Sequence, residues 1–178
     1  MKILAVLFAV SLFLLGMSSC GYHLRGAYQL PPQMAVTVIK SNNMKGELAR
    51  SLKRGLETSG IFVVDDAVYK QPAAVLRILD EKHNKRVLSV DINGRVREYA
   101  LHYELAMELS GPQDLLIPRQ MLELTRDFTF NPEDVLGKSD EEAELLRDMQ
   151  HDMVRLIMLR LQAATQKSTT PIDALPAP

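Results

Sequence analysis

Five cations surround a predicted hairpin turn and are the best candidates for binding chemistry. The dipeptide Asn93-Gly94 favours a two-residue type I′ turn between antiparallel strands. The cations lie on both sides of that turn: Lys82, Lys85, Arg86, Arg95 and Arg97. Arginine and lysine side chains that converge bind phosphates, arginine through paired hydrogen bonds. A charged edge that only prevents association between sheets is the alternative, and the sequence leaves both open.

Lys138 is a second, weaker candidate for binding an anion. It immediately precedes the predicted start of a long helix, where backbone N–H groups attract negative charge. A predicted capping box, Ser139-Asp140-Glu141-Glu142, begins this helix and places acidic residues that oppose an anion there. A further possible binding feature is an exposed sheet edge, which could accept a strand from a partner.

The sequence lacks the common catalytic and metal-binding motifs. The histidines are scattered without ligand spacing, and neither HExxH nor GxSxG occurs. A single cysteine excludes a zinc site built on several thiolates, and a net charge of −1 argues against a nucleic-acid partner. We therefore expect no enzymatic activity, no metal or other cofactor, and no nucleic acid. The enzymatic alternative predicts a deep pocket with titrating carboxylates.

The first nineteen residues, 1–19, are a predicted export signal. They combine a short positive start, an apolar run from Ile3 to Leu15 and a small-residue end. The run is shorter than the roughly 20 residues that a membrane span needs. Its end, Met17-Ser18-Ser19-Cys20, resembles the lipobox of bacterial lipoproteins. That resemblance implies lipidation of Cys20 and, because Gly21 rather than aspartate follows, sorting to the outer membrane.

Periodicity in the remaining chain predicts a single α+β domain over residues 34–165. An extended tether precedes it at 20–33, and a polar, proline-containing tail, predicted to be disordered, follows at 166–178. Leucines every four residues predict one helix, and a methionine-rich stripe predicts a second from Ser139 to about Ala164. Period-two alternation predicts strands at residues 99–109 and 122–130, and short apolar, partly β-branched runs predict strands at 34–40, 61–64, 75–79 and 87–92.

The segment Cys20-Gly21-Tyr22-His23-Leu24-Arg25-Gly26 resembles the start of the LptE family, formerly called RlpB. The similarity continues through Asn93-Gly94 with Glu98-Tyr99, then through Phe128-Thr129-Phe130-Asn131-Pro132 and the long C-terminal helix. The resemblance implies an α+β fold in which two helices pack on one face of a four-stranded, mixed, mostly antiparallel sheet.

The same resemblance implies a non-enzymatic function. Family members plug the outer-membrane barrel LptD, and the pair inserts lipopolysaccharide into the outer leaflet. Members also bind lipopolysaccharide through basic residues near one end of the sheet. Lys138 matches one such position, whereas Ile92 occupies another, so we expect Arg95 or Arg86 to supply that charge. Two alternatives stay open: a purely structural partner of the barrel, and a lipoprotein of another envelope trafficking system.

Overall fold

Five strands and two helices make up the described part of the chain. The computed structural model describes residues 28–130 and 135–168, with side chains over 28–130 and 140–165. The elements are β1 (Val36–Ser41), α1 (Glu47–Thr58), β2 (Phe62–Val64), β3 (Ala74–Val90), β4 (Val96–Ser110), β5 (Leu115–Thr129) and α2 (Val135–Ser168). A 3-10 turn, Pro32–Met34, precedes β1. The predicted signal at 1–19 and the lipidation site Cys20 lie outside the described residues.

The strands form one mixed sheet in the order β2-β1-β3-β4-β5. The β2, β1 and β3 strands are parallel to one another, whereas β3, β4 and β5 are antiparallel. The α+β class and the mixed sheet are therefore confirmed. The strand count is five rather than four, because the three-residue β2 pairs with the outer side of β1.

Strand β4 places its apolar residues on the face that the helices cover. Alternation along this strand buries a column in which no residue is more than 2% exposed: Leu101, Tyr103, Leu105, Met107 and Leu109. The residues between them point to the other side of the sheet, which we call the open face. The period-two pattern thus correctly predicted which β4 side chains enter the core.

Both helices contribute to the same hydrophobic core as that column. Leu48, Leu52 and Leu56 of α1 belong to one hydrophobic cluster with the β4 column. The methionine-rich stripe of α2 joins this cluster through its buried members, Met149, Met153, Ile157, Met158 and Leu161. The stripe is therefore core packing, as its spacing predicted.

Strand β3 is longer than the sequence pattern suggested. The pattern predicted two strand segments separated by the polar residues 80–86, but one strand runs through all of them. Pairing with β4 continues on both sides of a bulge between Leu79 and Lys82, where Asp80 adopts a positive φ of 51°. Polar residues are tolerated because this half of β3 is largely exposed to solvent.

The chain enters the domain beside the end of α2. Tyr28 and Leu30 pack against the core, and the Thr165 hydroxyl donates a hydrogen bond to the Gln29 carbonyl oxygen at 3.1 Å. The last residues of the predicted tether are thus part of the folded body. Helix α2 continues to Ser168, beyond its predicted end at Ala164, and residues 169–178 lie outside the described residues.

The burial of Leu52 predicts that shortening its side chain destabilises the fold. Its side chain is 0% exposed between α1 and the sheet, so Leu52→Ala leaves a cavity and should lower the free energy of unfolding by about 2–5 kcal/mol. Leu159→Ala is the matched control, because Leu159 is 47% exposed and should change stability by less than about 0.5 kcal/mol. Urea unfolding followed by circular dichroism measures both. Equal effects of the two variants would contradict this packing.

Candidate functional site at the hairpin tip

The candidate cations lie on the far part of the β3–β4 hairpin, residues 82–98, which we call the hairpin tip. Pairing between the two strands continues from Lys82 opposite Glu104 to Val90 opposite Val96. Most side chains on the β3 side of this segment are exposed. The tip is therefore an ordered ladder whose side chains are accessible to a ligand.

The turn at the end of the tip is built around Asp91. One carboxylate oxygen of Asp91 accepts hydrogen bonds from the backbone N–H groups of Asn93 at 2.8 Å and Arg95 at 2.9 Å. Gly94 has a φ of +76°, whereas Asn93 does not have a positive φ. The predicted hairpin is present, but the prediction of a two-residue type I′ turn is wrong, because that turn needs positive φ at both Asn93 and Gly94. The aspartate side chain organises the turn instead.

The register places the five cations on both faces of the hairpin. Lys85 lies opposite Leu101, whose side chain faces the helices, and Arg86 lies opposite Ala100, on the open face. Neighbouring strand residues point to opposite sides of a sheet, so the two cations diverge. Lys82 shares the open face with Arg86, whereas Arg97 lies at an irregularity of the ladder, between the pairs Ser89 with Glu98 and Val90 with Val96. The structure thus brings the cations to one end of the sheet, but not to one face.

Lys85 already has partners within the fold. Its Nζ lies 2.5 Å from an Oε2 of Glu142 on α2 and 4.9 Å from the ring centroid of Tyr99. Tyr99 in turn stacks on Phe128 and meets Phe130 edge to face. Lys85 therefore joins the hairpin to the first turns of α2 whose side chains are described. A phosphate would have to compete with Glu142 for this ammonium group.

Three arginines of the tip are accessible cations, and Lys82 is exposed as well. Arg86, Arg95 and Arg97 are exposed, and none forms an ion pair with a carboxylate among the described residues. Backbone hydrogen bonds from Arg95 and Asn93, together with the charge of Arg97, hold the pKa of Asp91 below its ordinary value. An anionic ligand would therefore meet arginine side chains without first displacing a carboxylate.

Lys138 lies within α2 rather than before it. The helix begins at Val135, so its backbone is already helical at Lys138, and Ser139 is an interior residue. The prediction that Ser139 caps the helix is therefore wrong, because four residues upstream continue the helical backbone. The side chain of Lys138 lies outside the described side chains, so its role in ligand binding stays a prediction.

Four exposed aliphatic side chains also lie on the tip, and their sequence pattern did not predict them as part of a site. They are Val87, Leu88, Val90 and Ile92, each more than half exposed, and Ile92 is fully so. The sequence did contain one sign of exposed apolar surface here, because the isoleucine Ile92 stands within a turn between Asp91 and Asn93. The tip therefore combines accessible cations with accessible apolar surface.

A groove elsewhere in the described residues contains an ion pair between Lys40 and Asp66. A groove of about 490 Å³ lies beside β1 and β2 and contains Lys40, Asp65 and Asp66. The Lys40 ammonium lies 2.8 Å from an Asp66 carboxylate oxygen and lowers the pKa of Asp66. A general acid would need a raised carboxyl pKa instead. Among the described residues, no group of three or more His, Cys, Asp or Glu side chains is placed to hold a metal ion.

In residues 28–130 and 135–168, no helix has the length and apolar character needed to cross a membrane.

Comparisons with known proteins agree with one another. The family model LptE, described as Lipopolysaccharide-assembly, matches residues 32–161. The LPS-assembly lipoprotein LptE of Yersinia enterocolitica is 31% identical over 143 residues, which cover 80% of this chain and 68% of that protein. The corresponding protein of Pectobacterium atrosepticum is 28% identical over 144 residues, which cover 81% of this chain and 77% of the relative.

Two solved structures share the fold. The solution structure of lipoprotein B from Nitrosomonas europaea has a TM-score of 0.64 and 31% identity, and the match covers 84% of this chain and 94% of that one. The crystal structure of rare lipoprotein B from Shewanella oneidensis has a TM-score of 0.65 at 24% identity and covers 75% of this chain and 97% of that one. The second likeness supports the fold alone.

Fold and comparisons together first define a class, the small α+β lipoproteins of the bacterial envelope. Within that class, the matched residues 32–161 cover most of the chain. The chain belongs to the LptE family, and its role is in lipopolysaccharide assembly, which is not an enzymatic role. The family resemblance stated from the sequence is confirmed.

The lowered pKa of Asp91 predicts how acid affects the turn. Because the folded-state pKa is below the ordinary value of 3.8, the carboxylate stabilises the turn above that pH, and this contribution is lost as pH falls through the lowered pKa. The amide resonances of Asn93 and Arg95 should therefore titrate with a midpoint below 3.8. Asp91→Ala should remove this titration and speed amide exchange at both positions, while amides in the centre of β4 stay protected. A midpoint above 3.8 would contradict the turn described here.

Proposed function

We propose that this protein is an outer-membrane lipoprotein that partners the barrel LptD and binds lipopolysaccharide during its insertion into the outer leaflet. Acyl chains on Cys20 would anchor it to the inner face of the outer membrane, because two or more lipid chains hold a protein stably. The folded domain would face the periplasm and fill the barrel lumen. Family membership and the predicted lipobox support the address and the partner.

The observation that carries lipopolysaccharide binding is the set of accessible arginines on the hairpin tip. Arg86, Arg95 and Arg97 are exposed, and no carboxylate of the described residues pairs with them. The lipid A part of lipopolysaccharide carries phosphates, which arginine recognises through two parallel hydrogen bonds. Lys85 is a weaker candidate because Glu142 lies 2.5 Å from it, and Lys138 remains a candidate by family resemblance.

The open face of the sheet supports the barrel as partner. Charged pairs cross it, including Arg77 with Glu108 at 2.7 Å between Nη1 and Oε1, and Arg119 with Asp80. His102 and Thr125 add a hydrogen bond of 3.1 Å in the same layer. Such a polar, wet surface suits the water-filled interior of a large barrel, which is itself polar.

Charge reversal at the three arginines tests ligand binding. Arg86→Glu, Arg95→Glu and Arg97→Glu combined should weaken lipopolysaccharide binding by about 30- to 100-fold. That range corresponds to roughly 0.7–0.9 kcal/mol for each of three exposed contacts, with a factor of ten for each 1.4 kcal/mol. Binding of fluorescent lipopolysaccharide to the purified domain, followed by anisotropy at low salt, measures the change.

The matched control reverses three exposed cations away from the tip: Lys45, Lys70 and Arg155. It changes the net charge equally, so it separates a local contact from general attraction. The control should retain most of its affinity, and both variants should unfold at nearly the wild-type urea concentration. Equal losses in the two variants, or no loss in either, would reject the proposed arginine site and favour a purely structural partner.

Recovery of the protein from membranes tests the address and the partner together. We expect a tagged full chain, extracted from Gram-negative envelopes with mild detergent, to co-purify with a large outer-membrane barrel. Mass spectrometry should identify that barrel as LptD and should find an N-terminal peptide that begins at lipidated Cys20. Cys20→Ala should remove the lipid. Recovery without any large barrel would favour another trafficking system, and an unmodified Cys20 would refute the proposed anchor.

A further inference from the structure

Exposed aliphatic side chains are concentrated on the hairpin tip. Ten large apolar side chains of the described residues are strongly exposed, and four of these lie within the six residues from Val87 to Ile92. The exposed fractions are 53% for Val87, 51% for Leu88, 55% for Val90 and 101% for Ile92. Single exposed apolar residues are ordinary, but a cluster marks a contact surface.

The fold holds this cluster in a defined shape. Val87 lies opposite Tyr99, and Val90 lies opposite Val96, so both belong to paired strands rather than to a loose loop. Asp91 fixes the turn that presents Ile92 to solvent. The aliphatic surface is therefore preorganised, which lowers the entropic cost of binding.

The neighbouring charges indicate what covers the cluster. Arg95 lies in the same turn as Ile92, and Arg86 lies on the paired strand beside it, on the opposite face of the hairpin from Val87. Apolar side chains bordered by unpaired arginines match an amphiphile that carries phosphates next to hydrocarbon chains. A second copy of this chain would fit poorly, because each copy would bring the same unpaired positive charges to the contact.

We propose that Val87, Leu88, Val90 and Ile92 bind acyl chains of lipopolysaccharide while the arginines beside them hold its phosphates. The inference rests on the proposed function, and it adds a hydrocarbon contact to the phosphate contact described above. The tip would then recognise the boundary between the phosphorylated sugar and the acyl region, rather than phosphate alone.

The test removes the hydrocarbon contact without changing charge. Val87→Thr, Leu88→Ser, Val90→Thr and Ile92→Ser combined keep β-branched residues at two strand positions. The control makes equivalent changes at four exposed apolar positions elsewhere: Met44→Ser, Val68→Thr, Leu115→Ser and Leu159→Ser. Each variant is titrated with intact lipopolysaccharide, with its deacylated carbohydrate-phosphate portion, and with phosphatidylglycerol vesicles.

We expect the tip variant to bind intact lipopolysaccharide at least tenfold more weakly than the wild type does. It should bind the deacylated portion with wild-type affinity. The control variant should bind both ligands with wild-type affinity. The arginine variant should lose affinity for both ligands, so failure of the proposed arginine site would be visible separately. Unchanged affinity of the tip variant for intact lipopolysaccharide would overturn the acyl contact. A variant that lost affinity only for the phosphatidylglycerol vesicles would overturn it too.

Amide protection and the oligomeric state of each variant are measured as well, to exclude misfolding and self-association as causes. Protected amides at Asn93 and Arg95 should show that the turn still forms in the tip variant. Equal loss for intact and deacylated ligand would overturn the proposal, because the effect would not depend on acyl chains. A wild-type dimer that the tip variant converts to monomer would also overturn it, in favour of self-association.

Discussion

The alternation of side chains along β4 is the constraint on which the rest of the structure depends. Its inward column, from Leu101 to Leu109, belongs to the one hydrophobic core that the apolar stripes of both helices complete. The same strand supplies pairing partners to β3 on one side and to β5 on the other. A register shift of one residue would turn this column to solvent, so the helices, the neighbouring strands and the hairpin all depend on it.

The hairpin tip follows from how far the strands extend beyond that core. Beyond the bulge at Asp80, β3 no longer contributes buried apolar side chains, yet pairing with β4 continues to Val90. Hydrogen bonding of the ladder, the Asp91 turn and the contact of Lys85 with Glu142 hold this extension in place. An ordered segment with little burial is suited to recognition, because its side chains are free to contact a ligand.

Much of this fold could be predicted from the sequence, since its signals are periodic. The β4 pattern and the leucines of α1 identified the core faces correctly, because one-sided burial imposes a period on the residues. The interior polar part of β3 was not identified as strand, since backbone pairing alone holds it there and leaves no apolar period. The start of α2 was misplaced because Ser139-Asp140-Glu141-Glu142 has a capping sequence within a helix that begins at Val135. Which face Lys85 takes, and which face Arg86 takes, needed the register, which the bulge after Leu79 sets.

The contact between Thr165 and Gln29 gives the domain two functionally unequal ends. It fixes the entry of the tether at the C-terminal end of α2, where Ala164 approaches Leu116 at the start of β5. The turn at Asp91 lies at the opposite end of β3, whose 17 residues span roughly 50 Å at strand spacing. This separation exceeds the roughly 30 Å thickness of a bilayer's hydrocarbon layer. The folded domain is in effect a spacer, so whatever the turn touches is held at a set distance from Gln29, where the described chain enters the domain.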